Sequence, residues 1–197
     1  MNMKTSARNA TVDLDQLAAW FGLDPVRRPS APTGWNPPPG GVVDMRIGRD
    51  GTWYYLGSPI QRPAMVQLFA RVLRREADGG YALVTPVERL AIRVDDAPFV
   101  AVEMVRRGEG PDSLIAFRTN VDEVVAAGPD HALVLRASPG ASEHAPYIGV
   151  RDGLDALLAR PVYYELMELA QSQPPGPAGA VGVWSGGHFF ALDAAHD

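Results

Sequence analysis

The chain has 197 residues, no cysteine and a formal net charge of −5. The absence of thiols excludes disulfides, thiolate catalysis and cysteine-ligated metal centres, and it favours a reducing compartment, so we expect a cytoplasmic protein. The negative net charge disfavours a nucleic-acid partner, because proteins that bind nucleic acid normally have a basic face. No apolar run reaches the roughly 18 residues that predict a membrane span.

The first 34 residues are predicted to hold one amphipathic helix and a linker. Within residues 12–21, four apolar residues follow the i, i+3, i+4, i+7 spacing of one helical face. They are Leu14, Leu17, Ala18 and Phe21. Residues 25–41 are rich in proline and glycine, which do not sustain a helix or a central strand.

A hairpin and a helix are predicted next, within an N-terminal α/β piece assigned to residues 35–88. Alternating residues 43–47 and 53–56 flank Arg49-Asp50-Gly51, which has the composition of a hairpin turn. The helix is expected to begin near Arg62, because Pro63 would lie in its first turn and lose no hydrogen bond. The Gly79-Gly80 pair is expected to end it.

Five short strands rich in β-branched and aromatic residues are predicted after this helix. They cover residues 81–84, 89–94, 99–105, 114–118 and 132–136. Their close spacing predicts a mostly antiparallel sheet or a small open barrel and disfavours a doubly wound parallel fold. The overall fold class is therefore α+β, with the C-terminal piece assigned to residues 89–171.

The C-terminal piece is expected to close with a long helix. Asp152 is a suitable N-cap, and Pro161 is expected to kink the helix. Residues 172–197 are predicted to form a Gly/Pro-rich joint followed by a second hairpin of residues 181–184 and 188–192.

Motifs for catalysis or cofactor binding are missing from the sequence. There is neither a G-x-x-x-x-G-K-[ST] phosphate loop nor a G-x-G-x-x-G turn. The four histidines are scattered, so no metal site is predicted. The acidic pairs Asp95-Asp96 and Asp122-Glu123 would point to opposite faces of a strand and are not paired acid–base groups. No catalytic residue and no cofactor are predicted, and an acid–base enzyme is the least favoured hypothesis.

Polar residues do concentrate where the predicted strands end, notably at Arg49, Thr85, Asp95 and Arg118. If the sheets fold back on each other, these ends converge, and their guanidinium and hydroxyl groups could bind a carboxylate or phosphate. The alternative is that Arg–Asp pairs only connect neighbouring turns.

Long consecutive motifs resemble the bacterial family called domain of unknown function 1285, over residues 35–170. They are "DMRIGRDGTWYYLGSPIQRPAMVQLFARVLRRE", "YALVTPVERLAIRVDDAPFVAVEM", "FRTNVDEVV" and "PYIGVRDGLDALLAR". The resemblance implies two related α/β pieces, the second like a pleckstrin-homology barrel with a closing helix. It implies no established activity, but suggests a signalling role and a nucleotide-like ligand in the cleft between the pieces. Mapped onto this sequence, the cleft candidates it implies are Arg49, Asp50, Thr85, Glu88, Asp95, Thr119, Asn120, Tyr147 and Arg151.

The leading hypothesis is thus a regulatory module that binds a small anionic or nucleotide-like ligand, with Arg118 added to the cleft candidates as a further guanidinium. The alternative is a protein-interaction module without a small ligand. That module would use a sheet edge or the cationic side of the predicted helix, which carries Arg71, Arg74 and Arg75.

Overall fold

The computed structural model describes residue 21 and residues 34–140, 144–173 and 176–192, with the side chain of residue 178 excepted. The predicted helix at residues 12–21 and the linker up to residue 33 therefore lie outside the described residues, apart from residue 21. In the described part there are fourteen strands, two α-helices and two short 3-10 helices. None of the helices described is long and apolar enough to cross a membrane.

The first half is a mixed six-stranded sheet with one helix. Its strand order is β3-β2-β1-β6-β5-β4, with β1 and β6 parallel and all other neighbours antiparallel. The elements are β1 (Pro39–Ile47), β2 (Trp53–Tyr55), β3 (Ser58–Pro59), α1 (Pro63–Val72), β4 (Leu73–Arg75), β5 (Tyr81–Val84) and β6 (Arg89–Val94).

The predicted first hairpin is confirmed, since β1 and β2 pair antiparallel with Ile47 opposite Trp53. The first sheet also includes β6, which pairs with β5 through the short turn between them. This half therefore extends to Val94, past the predicted boundary at residue 88. With one parallel pair, β1 and β6, the sheet is mostly antiparallel, and the β2–β5 segment with α1 serves as the crossover between the two parallel strands.

Helix α1 begins at Pro63 as predicted but ends seven residues before the expected glycine pair. Leu73 has the extended backbone angles φ −72° and ψ 134°, and it pairs with Leu83 of β5 while its side chain is fully buried. Gly79, with φ 87°, forms the β4–β5 turn instead. As a result, Arg71 lies on the helix whereas Arg74 and Arg75 lie on a strand, and the predicted cationic helix face does not form.

The second half is a six-stranded half-barrel with the order β10-β11-β12-β7-β8-β9. Strands β12 and β7 are parallel, and the other neighbours are antiparallel. Its elements are β7 (Phe99–Arg107), a 3-10 helix (Gly110–Asp112), β8 (Leu114–Thr119), β9 (Val124–Ala126), β10 (Leu133–Ala137), β11 (His144–Arg151), β12 (Leu154–Leu158) and α2 (Arg160–Ser172).

The prediction that the last helix begins at Asp152 is wrong. Asp152 and Gly153 have positive φ angles of 42° and 74°, and they form the tight turn that joins β11 to β12. The leucine-rich run after them is a strand in which Leu154, Ala156 and Leu158 alternate inward. Helix α2 begins at Arg160, so Pro161 occupies its first turn and does not kink it.

Two β-rich halves with a few helices agree with the α+β class. The likeness of the second half to a pleckstrin-homology barrel with a closing helix stays a prediction. A single cluster of buried apolar side chains runs through both halves, from Met45 and Trp53 in the first to Phe99 and Leu166 in the second. The two sheets therefore share one core.

The C-terminal hairpin packs on its own chain. It consists of a 3-10 helix (Pro177–Gly179), β13 (Gly182–Ser185) and β14 (His188–Ala191), close to the predicted strands. The buried hydroxyl of Ser185 accepts from the N–H of Ile115 at 2.9 Å and donates to the carbonyl of Ala127 at 2.8 Å. Ser113 Oγ donates to the carbonyl of Trp184 at 2.7 Å. These contacts attach the hairpin to β8 and to the residue that follows β9.

Replacing Ser185 with alanine tests this attachment. The change removes two hydrogen bonds and leaves the buried N–H of Ile115 without its partner, so Ser185→Ala should lower the free energy of unfolding by about 1–3 kcal/mol. Urea unfolding measures it. The control is Ser172→Ala, which removes an exposed hydroxyl whose described hydrogen bond lies within α2 and should change stability by less than about 0.5 kcal/mol. Equal effects of the two changes would contradict the structural role of Ser185.

Candidate functional site

The end of helix α1 is bound by an arginine from the other half. Arg151 Nη2 donates to the carbonyl of Ala70 at 2.6 Å, and Nη1 donates to the carbonyl of Leu73 at 3.3 Å. The last carbonyls of a helix lack partners within the helix and attract positive charge. The C-terminal half therefore supplies the cap for the helix of the N-terminal half.

The charge of Arg151 is balanced by Glu123, with Nε and Nη2 each 3.0 Å from a carboxylate oxygen. The two side chains are only 16% and 9% exposed, and the guanidinium lies 5.6 Å from the ring centroid of Phe99. Arg151 was a candidate for ligand binding. Because its guanidinium is already engaged with a carboxylate and two carbonyls, we assign it a structural role.

A second contact between the halves joins Asn120 to the β1–β2 turn. Its Nδ2 donates to the carbonyl of Gly51 at 3.2 Å, and its Oδ1 accepts from the N–H of Val100 at 3.0 Å. A Cβ atom on residue 51 would lie 2.6 Å from this amide nitrogen, and the φ of 81° is also unfavourable to side chains. Glycine at position 51 thus permits the contact.

A groove of about 270 Å³ lies at this junction. Both halves contribute to its wall: the first through the β1–β2 turn, β2 and the start of α1, and the second through the turn after β8. Its lining residues are Gly51, Thr52, Trp53, Ile60, Gln61, Pro63, Val66, Gln67, Asn120 and Asp122.

Asp122 is the one titratable group among these lining residues. Its backbone has a φ of 64°, in the left-handed region that aspartate tolerates better than most residues. Gln67 Nε2 donates to one carboxylate oxygen at 2.9 Å, and Arg118 Nη1 donates to the other at 2.9 Å. The carboxylate is thereby fixed in place by one residue from each half.

Trp53 is buried, with 1% of its surface exposed, and its ring stacks on Phe69 at a centroid distance of 6.1 Å. Its Nε1 is buried and has no hydrogen-bond partner within the described part of the chain. A buried donor without an acceptor is uncommon in a folded protein. Trp53 lines the groove, but its Nε1 atom is itself enclosed by the protein.

Arg118 does not offer a free guanidinium to a ligand. Glu103 lies 2.7 Å from Nη2, and Asp122 lies 2.9 Å from Nη1. Although burial acts to lower it, the hydrogen bonds to these two carboxylates raise the pKa of Arg118. The group is charged but already neutralised. Its neighbour Thr119 is fully buried and accepts a hydrogen bond from the N–H of Glu123, which is a role in the turn.

A separate polar network surrounds Asp96, a residue that the candidate set does not include. Its carboxylate accepts from Tyr147 Oη at 2.8 Å and Ser138 Oγ at 2.7 Å, and it lies 3.2 Å from Arg49 Nε. Asp96 is 3% exposed and Arg49 is 51% exposed. Burial raises the pKa of Tyr147. The network thus joins the segment between the halves to β11.

Two further candidates are engaged close to their own strands. Asp95 forms a short ion pair with Arg46. Asp50 accepts from the backbone N–H and the hydroxyl of Thr52, and these hydrogen bonds lower its pKa. These contacts correspond to the alternative in which acidic and basic residues connect neighbouring turns.

Thr85 and Glu88 lie at the far end of the first sheet. They form the β5–β6 turn, where Thr85 Oγ1 donates to the carbonyl of Glu88 at 3.1 Å. Since β6 runs antiparallel to β5 and parallel to β1, this turn and the β1–β2 turn lie at opposite ends of β6. At about 3.3 Å per residue, the six residues of β6 separate them by roughly 17–20 Å.

The candidate residues therefore do not meet in one cleft. Asn120 lines the groove and Arg118 and Thr119 lie beside it, while Arg49 and Tyr147 bind Asp96. The main groove residues that the sequence did not indicate are Trp53, Gln61, Gln67 and Asp122. The sequence indicates Trp53 only as part of a strand and Asp122 only as half of an acidic pair, and the two glutamines form no recognisable pattern. No group of three metal-binding side chains occurs among the residues described.

Comparisons with known proteins agree with this division into halves. The model described as "Domain of unknown function (DUF1285), N-terminal domain" matches residues 31–97, and that described as "Protein of unknown function (DUF1285), C-terminal domain" matches residues 98–192. The boundary between the two family matches, at residues 97 and 98, lies between β6 and β7. A comparison with curated protein sequences found no match.

Two solved structures are similar. A DUF1285 family protein from Silicibacter pomeroyi DSS-3 is 44% identical with a TM-score of 0.78, and the match covers 86% of this chain and 91% of that one. A DUF1285 family protein from Shewanella baltica OS155 is 28% identical with a TM-score of 0.50, and the match covers 64% of this chain and 92% of that one.

Removing the guanidinium of Arg151 should strongly destabilise the protein. Arg151→Met leaves Glu123 as an unpaired buried carboxylate, so the free energy of unfolding should fall by roughly 3–5 kcal/mol. Chemical denaturation measures this, and adding Glu123→Gln should restore part of the loss. The control Arg93→Met alters an arginine that is 73% exposed and should change stability by no more than about 1 kcal/mol. A small effect of Arg151→Met would refute its role in joining the halves.

Tyr147 should make stability sensitive to alkaline pH. Its pKa is raised in the folded protein by burial, so the folded and unfolded states are both protonated below about pH 10. Above that pH the unfolded state ionises first, and stability falls until the folded-state pKa is passed. Thermal unfolding between pH 9 and pH 11.5 should show a shallower decline for Tyr147→Phe than for the wild type. Tyr55→Phe, at an exposed position, is the control and should keep the wild-type slope.

Proposed function

The chain belongs to the DUF1285 family, whose function is unknown, and from this premise we propose that it is a regulatory protein that binds a small polar ligand in the groove between its two halves. The observation that carries the proposal is the composition of the groove wall. It combines apolar side chains, among them that of Trp53, with the fixed carboxylate of Asp122.

The size and shape of the groove support a small ligand. Ligand pockets are usually about 300–1,000 Å³ and combine apolar walls with a few fixed polar groups. At about 270 Å³, this groove is slightly smaller than the lower limit of that range, so it suits a small ligand. Its apolar side chains, such as Ile60 and Val66, come from the first half, and its fixed carboxylate comes from the second.

The charges around the groove bear on the anionic or nucleotide-like ligand that the sequence suggests. Arg118 already binds Glu103 and Asp122, so an anion would have to displace a carboxylate to reach it. Glu103 and Asp122 together carry one more negative charge than Arg118 balances. This surplus repels an incoming anion. We therefore propose a small polar ligand in general, and nucleotides are one class to be tested.

The regulatory part of the proposal follows from the position of the groove. A ligand that contacts Gln67 of α1 and Asn120 of the second half would stabilise the contact between the halves, since it binds only when they are together. Signalling through such a change is part of the proposal, as is the cytoplasmic location that a chain without cysteine favours.

The two alternatives have less support. The protein-interaction module depended in part on a cationic helix face, and Arg71 and Arg74 lie on different elements. An acid–base enzyme would need two titratable groups in one pocket, whereas the lining residues of the groove include Asp122 alone.

A bulky side chain at the rim of the groove tests the proposal. Gln61 is exposed and lines the groove, so Gln61→Trp should narrow it without disturbing the core. We expect a thermal-shift screen of nucleosides, nucleotides, amino acids, amides and carboxylates to identify a compound that stabilises the wild type. The stabilisation should be about 2.7 kcal/mol at one hundred times the dissociation constant.

The same compound should stabilise Gln61→Trp far less, whereas Gln171→Trp, at an exposed position on α2, should respond like the wild type. If no compound stabilises the wild type, or if the shift persists in Gln61→Trp, the groove is not the binding site.

A further inference from the structure

We propose that the N-terminal segment, residues 12–21, packs on the outer face of the first sheet. The outer face is the one directed away from the core that the two halves share. The apolar side that the sequence predicts for the segment would lie against a strip of apolar side chains on this face. None of the residues that line the groove belongs to the strip, so the inference is independent of the proposed function.

The pairing of the strands identifies the side chains of the outer face. Residues directly opposite each other on neighbouring strands point to the same face of a sheet, and successive residues alternate between faces. Leu83 of β5 and Ile92 of β6 belong to the shared core. The residues that alternate with them form the apolar strip across three adjacent strands: Val42 of β1, Ala91 of β6, and Ala82 and Val84 of β5.

The apolar strip is covered over β5 and open over β1 and β6. Ala82 and Val84 are each 2% exposed, although they lie outside the cluster of buried side chains that forms the shared core. Residues on this face are buried only when a further layer packs on the sheet. Val42 is 85% exposed, and Ala91 is also exposed. Apolar surface therefore remains for a further part of that layer.

The chain that precedes β1 already lies beside this face. Arg74 of β4 points to the outer face, because it is directly opposite Ala82. Its Nη1 donates to the carbonyl of Trp35 at 2.5 Å, and Pro37 is buried. The N-terminal part of the chain is therefore held at the outer face where it joins the rest of the protein.

The linker is long enough to return residues 12–21 to the same face. Residues 22–34 span up to roughly 43–47 Å when extended. Six strands about 4.8 Å apart make the sheet roughly 24 Å wide. Phe21, on the predicted apolar side of the segment, is half-buried, so part of its surface is already withdrawn from solvent.

Net charge favours the same contact. Residues 12–24 contain Asp13, Asp15 and Asp24 and no lysine or arginine. The outer face carries four arginines, one more than the acidic residues on it or paired with them, and opposite net charges favour association. The arginines are Arg46, Arg74, Arg89 and Arg93, and the acidic residues are Asp44, Glu76 and Asp95.

Paramagnetic broadening of NMR signals tests this contact. The chain contains no cysteine, so one introduced cysteine is the only site for a nitroxide label. Val87→Cys places the label in the exposed β5–β6 turn, close to the apolar strip and outside it. In the full-length ¹⁵N-labelled protein, we expect the amide signals of residues 12–21 to lose most of their intensity. A label at Val134→Cys, an exposed valine of β10 in the second half, should leave those signals at nearly full intensity.

Two substitutions distinguish the sides of the segment, each made in the chain that carries the Val87→Cys label. Leu17→Ser places a hydroxyl on the predicted apolar side and should restore most of the lost intensity, because an unpaired hydroxyl is costly to bury. Ala19→Ser places the same hydroxyl on the opposite side of the predicted helix and should leave the broadening unchanged.

A mixed sample identifies the chain that is contacted. When ¹⁵N-labelled protein without nitroxide is mixed with nitroxide-labelled protein of natural isotope content, the signals of residues 12–21 should stay intact. Broadening in this mixture would mean that the segment binds a second copy, and it would overturn the inference. No broadening from the label at residue 87, equal broadening from both label sites, or equal effects of the two serine substitutions would overturn it as well. Each of these outcomes leaves the proposed function to its own test at the groove.

Discussion

An arginine from the second sheet caps the helix of the first sheet, and the rest of the arrangement depends on that contact. Arg151 donates hydrogen bonds to the carbonyls of Ala70 and Leu73, and the buried carboxylate of Glu123 balances its charge. With α1 held at that end, Gln67 is in place to bind Asp122 across the junction. The groove is thus a consequence of how the two halves are joined.

Three arginines near the ends of strands already have partners for their charge. Arg118, Arg49 and Arg46 each have carboxylate partners in the described structure, at Glu103 and Asp122, at Asp96 and at Asp95. Guanidinium groups in such pairs stabilise turns and junctions and are poor sites for an additional anion.

The limits of prediction from sequence are clearest in the run after Asp152. Leu154, Leu157 and Leu158 fit one face of a helix, and Leu154, Ala156 and Leu158 fit one face of a strand equally well. Such short apolar runs cannot be assigned by periodicity alone. The parallel neighbour β7 decides for the strand, since it pairs with the backbone of β12 from a position more than fifty residues earlier. The same applies to Leu73, which leaves the helix because it can pair with Leu83.

By itself, the sequence determined the α+β class, the first hairpin, the start of α1 at Pro63 and the strands of the last hairpin. These features are local, because turn residues and a proline at a helix start act over a few neighbouring positions. The family membership also followed from consecutive motifs. Only the tertiary structure decided where the helices end, which strands are parallel and which side chains line the groove. Those features depend on contacts between residues far apart in the chain, such as Asn120 with Gly51 and Asp122 with Gln67. A local sequence pattern does not predict such pairs.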